Sequence, residues 1–180
     1  MLNTDTIYVM GVSGCGKSTI GLALATELGR PFKDGDSFHS KDSISKMRSG
    51  TPLNDVDRLP WLKIINAFAK TEPGHVIACS ALKKSYRIIL SEQLSRKTDG
   101  KEGAFFILLN LKRQVREVLE QRVSSRPGHF MPSKLLDSQL ATLEMPGNDE
   151  PNVIVIDADH DVDYTVNSII TRLNELEMKN

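Results

Sequence analysis

Residues Gly11-Val12-Ser13-Gly14-Cys15-Gly16-Lys17-Ser18 fit the spacing G-x-x-x-x-G-K-[ST]. The chemistry of that spacing is phosphate binding. The glycines let successive backbone N–H groups converge on phosphate oxygens with no Cβ in the way. Lys17 has the reach and charge to meet β- and γ-phosphates, and the Ser18 hydroxyl suits Mg²⁺. Thr19 completes the candidate nucleotide-binding set. Cys15 lies inside the loop, near a helix N-terminus and Lys17; both favour a thiolate, so the sequence predicts a reactive thiol that nucleotide would protect.

A second constellation is Lys33-Asp34-Gly35-Asp36-Ser37-Phe38-His39. Two carboxylates around a glycine can meet a metal ion and a substrate hydroxyl. Asp36 is the candidate general base toward an attacking alcohol and, with Ser18, a candidate Mg²⁺ residue. A polar turn that caps the next helix is the plainer account of the same residues. A third stretch, Ser124 to Pro132 (SSRPGHFMP), is punctuated by Pro and Gly and carries Arg126 and His129. It reads either as a connector or as a mobile lid (about 124–132) that brings a guanidinium to a phosphoryl group, with Arg122 in reserve.

These residues need elements to hold them. Short apolar runs recur at Ile7 to Met10, His75 to Cys79, Ala104 to Leu109 and Val153 to Ile156, with a further short run at Pro31 to Lys33. The longer runs are apolar on both faces, as in a buried parallel sheet. Between them lie helical stripes. Ile20, Leu24 and Leu28 follow the phosphate loop. Pro60 suits a first helical position, after which Trp61, Ile65 and Phe68 share a face. Val115, Val118, Leu119 and Val123 form another stripe, as do Leu135, Leu136, Leu140 and Leu143. Val166, Ile169, Ile170, Leu173 and Leu176 form the last. Strands alternating with helices predict a doubly wound α/β fold. The phosphate loop thus lies between a strand and a helix, the context that makes the motif credible. Ser95 to Gly103 (SRKTDGKEG) reads as a polar surface loop.

The bulk properties set outer bounds. The 180 residues fit one domain, 1–180. Lys plus Arg equal Asp plus Glu at 23 each, so no basic excess points to nucleic acid or a membrane surface. Cys15 and Cys79 are the only cysteines, too few for a disulfide framework and without zinc-ligand spacing. Residues Met1 to Ile7 contain no apolar signal core and no apolar run reaches ~18 residues. The expectation is a protein of the cytoplasm. The absence of N-K-x-D and D-x-x-G runs excludes the GTPase reading and leaves kinase-like or ATPase-like chemistry.

Taken in order, these segments resemble the gluconate kinases of the P-loop kinase group, the thermoresistant gluconokinase type. The resemblance runs over nearly the whole chain. It is carried by Met10 to Ser18 and by Asp34-Gly-Asp36 with His39. It continues through Lys46-Met-Arg-Ser-Gly-Thr-Pro-Leu-Asn-Asp-Val-Asp-Arg-Leu-Pro-Trp-Leu62 and Cys79-Ser-Ala-Leu-Lys-Lys-Ser-Tyr-Arg87, then Arg126-Pro-Gly-His-Phe130 and Thr142-Leu-Glu-Met-Pro146. The long middle motif and C-S-A-L-K-x-x-Y-R are its specific parts. The resemblance implies transfer of the ATP γ-phosphate to D-gluconate with Mg²⁺, giving 6-phosphogluconate and feeding the pentose phosphate pathway. It also implies a P-loop kinase fold with a five-stranded parallel sheet flanked by helices, a lid, and a homodimer. Gluconate is a polyol with a carboxylate, so its site needs cations and hydrogen-bond partners. Arg58, Lys83 and Arg87 are the candidate cations, and His39, Ser80 and His129 the candidate hydroxyl partners; a solvated helix face is the plainer account of Lys83 and Arg87. Cys15, the long loop at Ser95 to Gly103 and Ala141 depart from the family pattern without touching this chemistry. A shikimate kinase reading is disfavoured, because Cys79-Ser-Ala-Leu-Lys83 stands where that family carries a glycine run. Adenylylsulfate kinase shares the D-G-D but not the middle motif. A non-catalytic nucleotide-binding protein would have no need to keep Lys17, Ser18, Asp36 and Arg126 together.

Overall fold

Five strands pair into one parallel sheet: β1 (Thr6–Met10), β2 (Phe32–Asp34), β3 (Val76–Ala78), β4 (Ala104–Asn110) and β5 (Val153–Asp157), in the order β2-β3-β1-β4-β5. The computed structural model describes residues 5–94, 103–111, 119 and 133–179. Ile7 of β1 stands opposite Val76 on one side and Phe105 on the other. Alternate residues of β1 feed two separate cores. Ile7 and Val9 pack with Leu24, Ile107 and Ile169; Tyr8 and Met10 pack with Trp61, Ile65, Phe106 and Leu108. Burial on both faces is why the strand reads as a continuous apolar run rather than an alternating one. β5 lies at the sheet edge, so Val155 is exposed while Ile154 and Ile156 are buried.

Among the described residues six α-helices flank the sheet: α1 (Lys17–Glu27), α2 (Lys41–Arg48), α3 (Asp55–Thr71), α4 (Lys84–Ser91), α5 (Ser133–Thr142) and α6 (Val162–Lys179). The Pro60 expectation is corrected. Helix α3 begins at Asp55, and Pro60 lies inside it. The start is set by a capping box: the Asn54 side chain accepts the Asp57 N–H at 2.9 Å, and Asp57 Oδ2 accepts the Asn54 N–H at 2.9 Å. Two orphan donors are satisfied at once, which outweighs the preference of proline for a first position. The stripe at Val115, Val118 and Val123 lies outside the described residues, as do nearly all of the Ser95 to Gly103 loop and the 124–132 segment. No helix among the described residues is long and apolar enough to cross a membrane.

Candidate active site

Among the described residues, the phosphate loop, the aspartate turn and Ser80 lie at the carboxyl ends of the strands. The phosphate loop follows β1, the Asp34-Gly35-Asp36 turn ends β2, and Ser80 follows β3. In open α/β sheets ligands bind in this crevice, where the strand order reverses beside β1. Gly11, Gly14 and Gly16 adopt φ of 142°, 82° and 101°, a region that favours glycine and that the loop requires. A Cβ on Gly11 would lie 2.8 Å from Cys15 Sγ and 3.1 Å from the Leu109 carbonyl oxygen. That contact also places the Cys15 thiol. It turns into the core and is 2% exposed, so the accessible, reactive thiol expected from the motif is replaced by a packed one.

Two polar contacts tie the loop to its surroundings. Lys17 Nζ donates to the Val12 carbonyl at 2.9 Å, folding back over its own loop. The Ser18 hydroxyl donates to Asp34 Oδ2 at 2.8 Å. Asp34 Oδ1 in turn accepts the Asp36 N–H at 3.0 Å, capping the short 3₁₀ turn Gly35–Phe38. Asp34 is thus the carboxylate on the candidate metal hydroxyl, a role that the sequence assigned to Asp36. The Asp36 side chain is 79% exposed and free to meet a ligand, with Oδ1 at 3.7 Å from His39 Nε2.

The aspartate turn is pressed against the sheet. A Cβ on Gly35 would lie 2.6 Å from the Ala78 carbonyl oxygen, so glycine is needed for close approach. Trp61 Nε1 donates to the Gly35 carbonyl at 2.8 Å, and the His39 ring stacks on Trp61 with centroids 4.4 Å apart. Burial holds the His39 pKa below the usual imidazole value; Arg58 adds to that, while Asp36 and Asp34 oppose it. His39 is therefore a neutral ring at neutral pH, fit to exchange hydrogen bonds with hydroxyls.

The three candidate cations have different fates. Arg58 is buried, donating from Nε to the Leu53 carbonyl at 3.3 Å and from Nη1 to Ser80 Oγ at 3.2 Å. No described carboxylate lies within ion-pair distance of it. Lys83 is paired with Asp55, at 2.9 Å and 2.8 Å to its two oxygens. Tyr86 also donates to Asp55, and these bonds hold the Asp55 carboxyl below the usual range. Arg87 is 2% exposed, and its guanidinium is engaged within the fold. Its Nε and Nη2 form a bidentate pair with Glu150 at 2.6 Å and 2.8 Å, and Nη1 faces the carbonyls of Ala81, Leu82 and Glu144. Its donors are consumed in joining α4 to the segment before β5.

Arg122, Arg126 and His129 lie outside the described residues. Two further contributors carry no motif of their own. Asp34 shares the D-G-D signal with Asp36, and only the fold shows which carboxylate meets Ser18. Gln139 of α5 accepts the Ser13 N–H through Oε1 at 2.7 Å; its helical stripe gave no hint of that contact.

The residues present fit a nucleotide with a divalent cation. The Ser13 amide is aimed at an acceptor oxygen, as the Gln139 contact shows, and Lys17 and the N-terminus of α1 supply positive charge. Ser18 and Asp34 together offer the hard oxygen donors that Mg²⁺ selects.

The comparisons agree with this geometry. A family model described as shikimate kinase matches residues 13–174. The thermoresistant gluconokinase of Escherichia coli (strain K12) is 44% identical over 169 residues, spanning 91% of this chain and 91% of that one. The crystal structure of a gluconokinase from Sinorhizobium meliloti 1021 superposes with a TM-score of 0.82 at 38% identity, covering 100% of this chain and 99% of that one. Shikimate kinase from Acinetobacter baumannii superposes with a TM-score of 0.56 at 18% identity, covering 98% of this chain and 94% of that one. That level of identity speaks for the shared fold alone.

Proposed function

Because the chain belongs to the gluconokinase family of P-loop kinases, we propose that it transfers the terminal phosphate of ATP to D-gluconate, giving 6-phospho-D-gluconate. It is an enzyme of the phosphotransferase class with an alcohol as acceptor. The observation that carries the choice of acceptor is Arg58. A buried guanidinium without a carboxylate partner among the described residues stands beside Ser80, in the same crevice as the phosphate loop and Asp36. Asp55 and Asp57 feel its charge without an ion pair; a substrate carboxylate can pair with it, and a neutral sugar cannot.

ATP supplies the phosphoryl group; Ser18 and Asp34 would hold Mg²⁺, which would supply charge to its phosphates. The amides of Gly11 to Thr19 and Lys17 cradle those phosphates and fix their direction. Asp36 accepts the proton of the gluconate hydroxyl as that oxygen attacks the phosphorus. His39 and Ser80 orient hydroxyls of the acceptor, and Arg58 holds its carboxylate. Lys83, turned on its Asp55 tether, adds positive charge at the rim. Arg126, with Arg122 in reserve, is the residue proposed to offer a guanidinium to the moving phosphoryl group, and His129 a residue proposed for the acceptor. A cytoplasmic homodimer serving the pentose phosphate pathway completes the proposal, in keeping with the absence of a basic excess for nucleic acid or membrane.

The test is ADP release from ATP with gluconate or glucose as acceptor. Strong turnover with gluconate and weak turnover with glucose is expected. Equal turnover of the two sugars removes the carboxylate clamp, and absence of turnover with gluconate removes the assignment.

A further inference from the structure

Helix α5 carries Gln139 into the phosphate loop from 126 positions along the chain. Its Oε1 lies 2.7 Å from the Ser13 nitrogen. The amides of such a loop point at phosphate oxygens. Oε1 therefore occupies the place of one such oxygen, and a nucleotide entering the loop must take that N–H from it.

The helix is not free to carry Gln139 away. Leu135 and Leu136 are buried. Just past the helix end, the Glu144 N–H donates to the Leu82 carbonyl at 2.8 Å, and Glu144 Oε2 accepts the Lys84 N–H at 2.8 Å. Arg87 Nη1 adds a bond to the Glu144 carbonyl at 3.3 Å. These anchors fall on Leu82, just before α4, and on Lys84 and Arg87 within α4; Ser80 and Lys83, on the acceptor side of the crevice, lie directly beside them. The phosphate nearest the acceptor is the terminal one. A glutamine amide has an accepting end and a donating end, exchanged by a half-turn of its last torsion. The Ser13 N–H can only donate, so the carbonyl end faces it. A phosphate oxygen only accepts, so the NH₂ end is the one that can face it.

We propose that Gln139 is a ligand of the terminal phosphate of the nucleotide: its amide, which accepts the Ser13 N–H at 2.7 Å, can rotate and donate from Nε2 to the phosphoryl group. The inference rests on the nucleotide reading of the loop and assigns a residue that the motif does not contain.

The test is calorimetric binding of ADP and of the β,γ-imido analogue of ATP, with Mg²⁺ and no sugar, to the full chain and two variants. Wild-type binding of both ligands establishes the loop as a nucleotide site; binding of neither overturns the nucleotide reading itself. Gln139→Glu keeps the shape and the acceptor for Ser13 but cannot donate, and it sets a negative charge against the phosphate. It should weaken the analogue at least about tenfold more than ADP, the scale of one lost hydrogen bond to a charged group. Gln139→Met fills the same space without a donor or an acceptor and should weaken the analogue relative to ADP, each compared with the wild type. Variants that bind both ligands as the wild type does overturn the proposal. So does equal weakening of both ligands, and so does tighter analogue binding by the Met variant, which would make Gln139 a competitor of phosphate rather than its ligand.

Discussion

The Ser18 hydroxyl donates to Asp34 Oδ2 at 2.8 Å, so the end of β2 and the start of α1 share one hydrogen bond across the crevice. The pair holds a carboxylate beside a hydroxyl in the arrangement a hard cation needs. Asp34→Asn keeps the shape and loses the charge. It should raise the Mg²⁺ concentration for half-maximal rate by about 10–100-fold, the usual cost of losing a group that orients or charges a metal site. Saturating Mg²⁺ should restore most of the rate. A Mg²⁺ titration that matches the wild type would take the metal away from this pair.

Asp36 behaves differently because its carboxylate is exposed and unbound to Ser18. Asp36→Asn should lower kcat by about 10²–10⁴-fold, the range of a lost general base, with ATP affinity little changed. Loss of ATP binding with kcat retained would make Asp36 a nucleotide residue instead.

Arg58 and Arg87 should separate cleanly. Arg58→Ala should raise KM for gluconate and narrow its advantage over glucose. Arg87→Met should act on stability, because it strands Glu150, whose side chain is 8% exposed; breaking such a buried pair costs about 3–5 kcal/mol. The pH dependence has a definite sign. The Arg87 hydrogen bonds hold the Glu150 carboxyl below the usual glutamate range. A carboxyl lowered by folding stabilises the native state fully above its unfolded pKa, and that contribution is lost as pH falls through the folded value. Urea unfolding of wild type and Arg87→Met should therefore differ most near neutrality and converge in acid. A gap independent of pH would mean that lost packing, not the ion pair, carries the effect.

The thiols should be silent in the native state. Cys15 and Cys79 are both buried, and burial pushes the Cys79 thiol up to about 12. A colourimetric thiol reagent should label neither residue until denaturant is added, with or without ATP. Rapid labelling of Cys15 that ATP blocks would restore the reactive thiol that the motif suggests.

Local patterns were enough for much of this protein. The phosphate loop, the strand before it and the helix after it follow from glycine spacing and apolar periodicity, because both act over a few residues. The continuous apolar runs of β1 and β4 foretold a sheet covered on both faces, since a strand buried on two sides has no polar side to show. Pro60 points to a later start for α3 than Asp55, because proline is a visible signal, whereas the Asn54–Asp57 capping box needs two weak ones together.

Only the tertiary structure decided the division of labour among like residues. Asp34 and Asp36 share one motif, yet backbone direction at the end of β2 sends one to Ser18 and the other to solvent. Arg58 and Arg87 read alike as cations, but Glu150, 63 positions from Arg87, pairs with Arg87, whereas Arg58 bonds the Leu53 carbonyl and Ser80. The Gln139–Ser13 contact, 126 positions apart, had no local trace at all. The sequence determines which chemical groups are present and which short elements hold them. Pairing between groups far apart depends on where the folded sheet sets those elements, and no local spacing contains that distance.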